Sequence, residues 1–345
     1  MIRFPIHALA LAAAATLAMA TMPAMAVDGP RVTWNLAAYG PQRASTYALD
    51  QLSDIVLADT DGNFTIKVHY GAVLSPEKEI LDGASLGAFE LGWWVPTYAP
   101  GKQPSLTALG LPFLPLGNMS NATRVAHAFY QHPVVTRDHD AWNVDYIMVV
   151  MNPPYEMMGR GKTPDTLAGW KGLRVRALGG GGTAMGRIGA VPTTVTAPEI
   201  YGALERGIVD AAALPYAAFD AYKVNQIGQW YTKGLALNYV VTAVVGNKLA
   251  HAKLASQYQD LIKKAVPHAM QAQAASVQGE EDKAEADFQK RGLKRVTIPA
   301  DVRQDMIRIG GTPVWEAWVK EMTDKGLPAQ ELLDFLLAEG RKGSS

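Results

Sequence analysis

Apolar and polar positions alternate with a period near two over residues 32–38 and 64–70, as in strands with one face turned to a core. Between them, residues 45–57 carry apolar side chains at helical spacing. Ser75-Pro76-Glu77 predicts a helix start, with Ser75 as N-cap and Pro76 in the first turn, running to about residue 82. Residues 88–93 read as a third strand. Strand, helix, strand, helix, strand predicts a mostly parallel sheet. The pattern restarts after Met151. Residues 173–177 read as a short strand ending in Gly179-Gly180-Gly181-Gly182, followed by a helix over 183–188 and a strand over 191–195. A helix over 198–207 opens on Pro198 and closes on Gly207. Then come a strand over 209–214, a helical stretch through 228–231, and an Ala-, Gln-, Glu- and Lys-rich helix over 251–289. A last strand, 293–298, precedes helical residues 299–337. Two similar α/β units predict a two-lobed chain with a cleft at the carboxyl ends of the strands. That puts residues 38–39, 93–98, 177–182 and 214–216 at its rim.

The first residues change the picture. Arg3, the apolar run 8–20 and Ala24-Met25-Ala26 before Val27 have the form of a cleaved secretory leader, which predicts a periplasmic protein. The run is too short for a stable membrane anchor. Residues 239–246, apolar as they are, are too short as well. The chain has 345 residues, 48% hydrophobic, enough for two cores. Lys plus Arg and Asp plus Glu both number 32, and no basic stripe argues for nucleic acid. With no cysteine, disulfides, thiolate metal sites and cysteine nucleophiles are excluded.

Each chemical motif has a plainer reading. Gly83-Ala84-Ser85-Leu86-Gly87 matches a hydrolase elbow, but a helix precedes it and a strand follows, the reverse of the required order. It reads as a turn. The glycines at 179–182 lack a P-loop's Gly-Lys-Ser/Thr. They either let backbone approach a ligand or make a flexible connection. His132, Asp138, His139 and Asp140 lack metal-ligand spacing and read as a solvated loop. Glu280, Glu281, Asp282, Lys283, Glu285 and Asp287 read as a solvated helix face, with Lys283 and Asp287 spaced to pair. No cofactor is called for. Alternation puts Arg174 and Arg176 on one strand face. Arg176, nearer the strand end, either holds a ligand carboxylate through paired hydrogen bonds or pairs with a neighbouring acid. Trp93 and Trp94 end a strand, so one faces the core and the other the opposite side.

Leu167-Ala168-Gly169-Trp170-Lys171-Gly172-Leu173-Arg174-Val175-Arg176 resembles the solute-binding proteins of tripartite ATP-independent periplasmic (TRAP) transporters, dicarboxylate-binding type. So do Ile188-Gly189-Ala190-Val191-Pro192, Glu199 through Asp210, Gly71-Ala72-Val73-Leu74 and Leu109 through Leu114. The resemblance covers nearly all of the chain after the leader. It implies a two-lobed, type II-like periplasmic-binding fold with a long helix across both lobes. Residues 27–152 and 240–280 would form one lobe, and 153–239 and 281–345 the other. It implies TRAP membrane subunits as partners and a ligand carboxylate on Arg176. Where many members carry a second arginine, an asparagine and an aromatic residue, this chain has Glu156, Leu214 and Ala197. Polar anchors are lost, while Tyr39, Trp93, Trp94, Tyr216 and Tyr239 stand at or near the cleft loops. The expected ligand is therefore a monocarboxylate with an aromatic or bulky apolar body. Glu156 either receives a ligand donor or pairs with a base such as Arg160 or Lys162. An exported enzyme of the same fold, or a ligand-sensing subunit for a sensor kinase, is the alternative.

Overall fold

A computed structural model describes residues 26–343; the leader from Arg3 to Met25 lies outside them. The first half contributes β1 (Val32–Ala37), α1 (Tyr47–Asp59), β2 (Phe64–His69), α2 (Ile80–Leu86), β3 (Leu91–Trp94), α3 (Met119–Tyr130), α4 (Pro133–Ala141) and β4 (Val144–Val150). Next come β5 (Glu156–Gly159), β6 (Arg174–Arg176), α5 (Gly179–Ile188), β7 (Val191–Thr193), α6 (Ile200–Glu205), β8 (Ala211–Leu214), α7 (Tyr216–Ala221) and β9 (Trp230–Lys233). The chain ends with β10 (Thr242–Asn247), α8 (Lys248–Lys253), α9 (Ser256–Lys290), β11 (Lys294–Thr297), α10 (Ala300–Gly310), α11 (Thr312–Asp324) and α12 (Ala329–Lys342).

These strands make two sheets, ordered β2-β1-β3-β10-β4 and β11-β9-β5-β8-β6-β7. Parallel pairing dominates in β1–β3, as the alternation predicts. One strand in each sheet runs against its neighbours: β10 between β3 and β4, and β5 between β8 and β9. Each is the first strand laid down after the chain crosses from the other sheet. The crossings run side by side. Tyr155 N–H donates to Asn238 O (2.9 Å), Leu237 N–H to Tyr155 O (3.0 Å), and Phe113 N–H to Leu237 O (2.8 Å).

The 35-residue α9 links the two sheets' layers. At 1.5 Å per residue it is about 50 Å long, enough to reach across both. It packs on α1, α3 and β4 of the first half of the chain and on α7 of the second. Buried Gln273 donates to Ser45 O (2.9 Å) and Met151 O (3.1 Å). The charge run beyond it departs from the solvated reading. Glu281 accepts from Tyr216 N–H (2.8 Å) and Ala217 N–H (2.9 Å), and Glu285 pairs with Lys233 and Arg295. These carboxylates pin α9 to the second sheet. Lys283 pairs with Glu280, and Asp287 with Arg291, so the expected Lys283–Asp287 pair does not form.

Other local readings also shift. Helix α2 starts at Ile80 rather than after Ser75, and ends at left-handed Gly87 (φ 75°). Of the stretch 228–231, expected to be helical, Trp230 and Tyr231 instead open β9, which pairs with β5 on one side and β11 on the other. The glycines at 179–182 open α5 instead of a loop. A Cβ on Gly180 would fall 2.7 Å from Pro112 and 2.8 Å from Gly110 O, and one on Gly181 2.5 Å from Asn238. Their bareness serves protein packing. At the C-terminus, α10 packs on α5 and α12 on α3, with Arg124 paired to Glu339. No described helix is long and apolar enough to cross a membrane.

Candidate functional site

Strand β6 is buried at Val175 and Arg176 and exposed at Arg174. Although alternation gives the two arginines one face, they meet different surroundings. Arg174 is spent on Asp210 through paired hydrogen bonds. Arg176 is 0% exposed. Its Nε donates to Val195 O (2.9 Å) and Nη1 to Ala213 O (2.7 Å), while Nη2 is buried without a partner. No ion pair to it exists among the described residues. Glu199, the acid that feels its charge, accepts from Thr196 N–H (2.7 Å) and hydroxyl (2.8 Å) instead, and the Thr196 N–H is the main force holding its carboxyl below the usual range. A desolvated cation without a counterion is costly, and the free Nη2 marks where an acceptor belongs.

Two phenols, Tyr155 and Tyr222, lie near enough to feel the Arg176 charge, within a larger aromatic group. Tyr39, just after β1, stacks on Trp93 of β3 (centroids 4.5 Å, 13°) and meets Tyr98 edge-on (5.9 Å). The Tyr98 hydroxyl accepts from Ala197 N–H (2.9 Å), joining the first sheet's β3 loop to the second sheet's β7–α6 loop. Burial raises the Tyr155 and Tyr222 phenols, the latter to about 12, and both feel the charges of Arg43 and Arg176. Tyr39 is likewise raised by burial, with Tyr98, Tyr222, Tyr155 and Arg43 as charge neighbours. Arg43 places its guanidinium against Tyr39, Trp93 and Tyr222. A 440 Å³ cavity opens beside the group, lined by Thr97, Tyr98, Gly179, Thr194 and Trp318 among others.

Of the residues singled out by sequence, Arg176, Tyr39, Trp93 and Ala197 come together. Leu214 ends β8, next to the Ala213 carbonyl that holds Arg176. Others lie elsewhere. Trp94 points to the far side of β3, where its indole donates to Gln103 (2.9 Å). Tyr216 donates to Thr232 O (2.6 Å) and packs on Phe288 of α9. Tyr239 donates to Gly117 O (3.2 Å) beside a separate cavity that includes Arg303. Glu156 pairs with neither Arg160 nor Lys162. It accepts from the Thr232 hydroxyl (2.6 Å) and from Gly234, Leu235 and Ala236 N–H (3.1, 3.2 and 3.1 Å), which ties down the turn after β9. Sequence reasoning missed Arg43, Tyr98, Tyr155 and Tyr222. Tyr98 closes the flagged rim segment 93–98, and Tyr155 follows Pro153-Pro154. Arg43 and Tyr222 carry no local signal.

The remaining motifs have structural partners. Ser85 lies within α2, and its carbonyl accepts from Asn143 and Asn247. His132 caps α4, Asp138 accepts from Ser105, His139 faces Gln103 (2.9 Å), and Asp140 pairs with Lys248. Among the described residues no His, Asp and Glu cluster could hold a metal.

The family described as bacterial extracellular solute-binding protein, family 7, matches residues 38–321. A monocarboxylate 2-oxoacid-binding periplasmic protein of Nostoc sp. is 27% identical over 264 residues, 70% of this chain and 66% of that relative, just under two thirds of its length. A solute-binding protein of Verminephrobacter eiseniae is 24% identical over 251 residues, 71% of this chain and 73% of its own. Among solved structures, a TRAP solute-binding protein from Rhodoferax ferrireducens in complex with copurified benzoate superposes with a TM-score of 0.84 at 20% identity, covering 91% of this chain and 98% of that one. One from Bordetella bronchiseptica with bound (R)- and (S)-mandelate gives 0.79 at 21% identity, covering 90% and 99%. The two-lobed fold expected from sequence is therefore the fold observed.

Proposed function

The chain belongs to family 7 of the bacterial extracellular solute-binding proteins, and on that premise we propose that it captures an aromatic or similarly bulky, apolar monocarboxylate between its lobes and delivers it to TRAP membrane subunits. The observation that carries this reading is Arg176: a fully buried guanidinium with Nη2 unpartnered and no acid of its own. A ligand carboxylate supplies the missing acceptor and charge. Tyr39, Trp93, Tyr98 and Tyr155 offer ring surface to the ligand body, while Ala197 and Leu214 leave room and offer no second anion partner. Trp94, Tyr216, Tyr239 and Glu156 serve the fold instead. Relatives that bind benzoate, mandelate and a 2-oxoacid support the class.

The two sheets support lobes of residues 27–152 with 240–280 and of 153–239 with the chain from 281 on, except that α12 packs on α3 of the first. The protein reaches the periplasm by its cleaved leader and returns its ligand chemically unchanged. The test is calorimetric competition on ligand-stripped protein between aryl monocarboxylates and C4 dicarboxylates, followed by tryptophan emission. Aryl acids bind more tightly and perturb emission, and Trp93→Phe reduces that signal while Trp94→Phe spares it. Tight succinate binding with no response to any aryl acid refutes the ligand class.

A further inference from the structure

Arg43 is a cation without an acid. Among the described residues no carboxylate lies within ion-pairing distance, and its Nη1 donates only to Pro41 O (2.7 Å). Its charge rests on ring faces instead. The guanidinium carbon is 5.3 Å from the Tyr39 centroid, 4.7 Å from Trp93 and 5.1 Å from Tyr222. Tyr39 and Trp93 belong to the first sheet's side. Tyr222 caps the C-terminus of α7, on the second. Gly40 makes an independent contact at the same seam. Its φ is +66°, and a Cβ built on it would collide with the Tyr222 hydroxyl, which is itself buried without a partner. The two sides thus meet at a glycine that leaves the phenol room, beside a cation that bridges their rings.

We infer that Arg43 is the clasp of the closed form, a positioning residue that governs how slowly ligand leaves. This rests on the ligand site proposed above. Separating the lobes takes Tyr222 away from Arg43 but leaves Arg43 with Tyr39 and Trp93, so the Tyr222 contact favours closure alone. An interaction made only in the closed state slows opening, and hence release, and barely alters the first encounter with ligand. Cation–π contacts of this kind are strong enough, once shielded from water, to change a rate by roughly tenfold or more.

The test is stopped-flow tryptophan fluorescence with benzoate and 3-hydroxybenzoate as probes. Arg43→Ala and Tyr222→Leu each raise the dissociation rate about tenfold to hundredfold, with association changed by less than about threefold. Arg43→Lys falls between. The double variant is no faster than the faster single one, because both lose the same contact. Multiplying effects, or a change confined to association, overturn the inference. If the wild-type protein binds neither probe, the ligand class fails, and the clasp is judged by geometry instead. The chain has no cysteine, so spin labels at Asp54→Cys and Glu205→Cys, both exposed, report the lobe separation directly. Arg43→Ala then shifts the distances of ligand-free protein to longer values; an unchanged distribution overturns the clasp.

Discussion

At the scale of single residues, what matters is which charges already have partners. Arg174 and Arg176 are alike in the strand pattern, yet Asp210 takes the first and main-chain carbonyls alone receive the second. Removing Arg176 leaves a ligand carboxylate desolvated and unpaired, which costs on the order of 3–5 kcal/mol. Arg176→Ala therefore weakens binding by about two to four decades in calorimetry. Arg176→Lys recovers part of it, since an ammonium lacks the planar fork. The ligand-free melting temperature of Arg176→Met equals or exceeds the wild type, because the buried charge is gone. Glu156 behaves in the opposite way. Glu156→Ala strands the Thr232 hydroxyl and the turn N–H groups and costs about 1–3 kcal/mol in urea titrations, while ligand affinity stays within a fewfold. Loss of affinity without loss of stability would return Glu156 to the site.

At the scale of elements, α9 shows how a helix legible in sequence acquires a role that is not. Its composition marks it as helical, but whether Glu281 faces water or α7 depends on what the fold brings opposite. Burial pushes the Glu281 carboxyl up to about 7, against the pull of the Ala217 and Tyr216 N–H groups. The folded state then holds a proton that the unfolded chain has lost, so this group's contribution to stability falls as pH rises from about 4.5 to about 7. His139 acts oppositely. Burial lowers its imidazole to about 4, so the unfolded state binds the extra proton and stability is lost as pH falls from about 6.5 to 4. Urea midpoints measured across this range should show Glu281→Gln removing the first slope and His139→Gln the second. An unchanged profile in either variant rules out that assignment. Helix α5 teaches the same lesson from the other side. Its glycines read as a loop, since nothing local announces Gly110, Pro112 and Asn238 close against them.

At the scale of the whole molecule, the lobes are joined by paired crossings and by one helix, so ligand captured between them stabilises both. A ligand bound only by the folded form at a hundredfold its dissociation constant adds about 2.7 kcal/mol. That raises the melting temperature by several degrees in thermal-shift assays, and Arg176→Ala should show no such rise. The intact mass of protein recovered from the periplasm should correspond to a chain starting at Val27; a full-length chain in the cytoplasm would contradict export. The two-unit α/β order, the long helix and Arg176 at a strand end were legible from the chain alone, because hydrophobic periodicity and strand-end glycines are written locally. The folded structure was needed to see that Trp93 stacks on Tyr39 while Trp94 bonds Gln103, that Glu156 holds a turn, and that Arg43, Tyr98, Tyr155 and Tyr222 gather near Tyr39. Those facts depend on contacts between residues distant in the chain, and a side chain's partners, unlike its periodicity, exist only after the strands and crossings have brought them together.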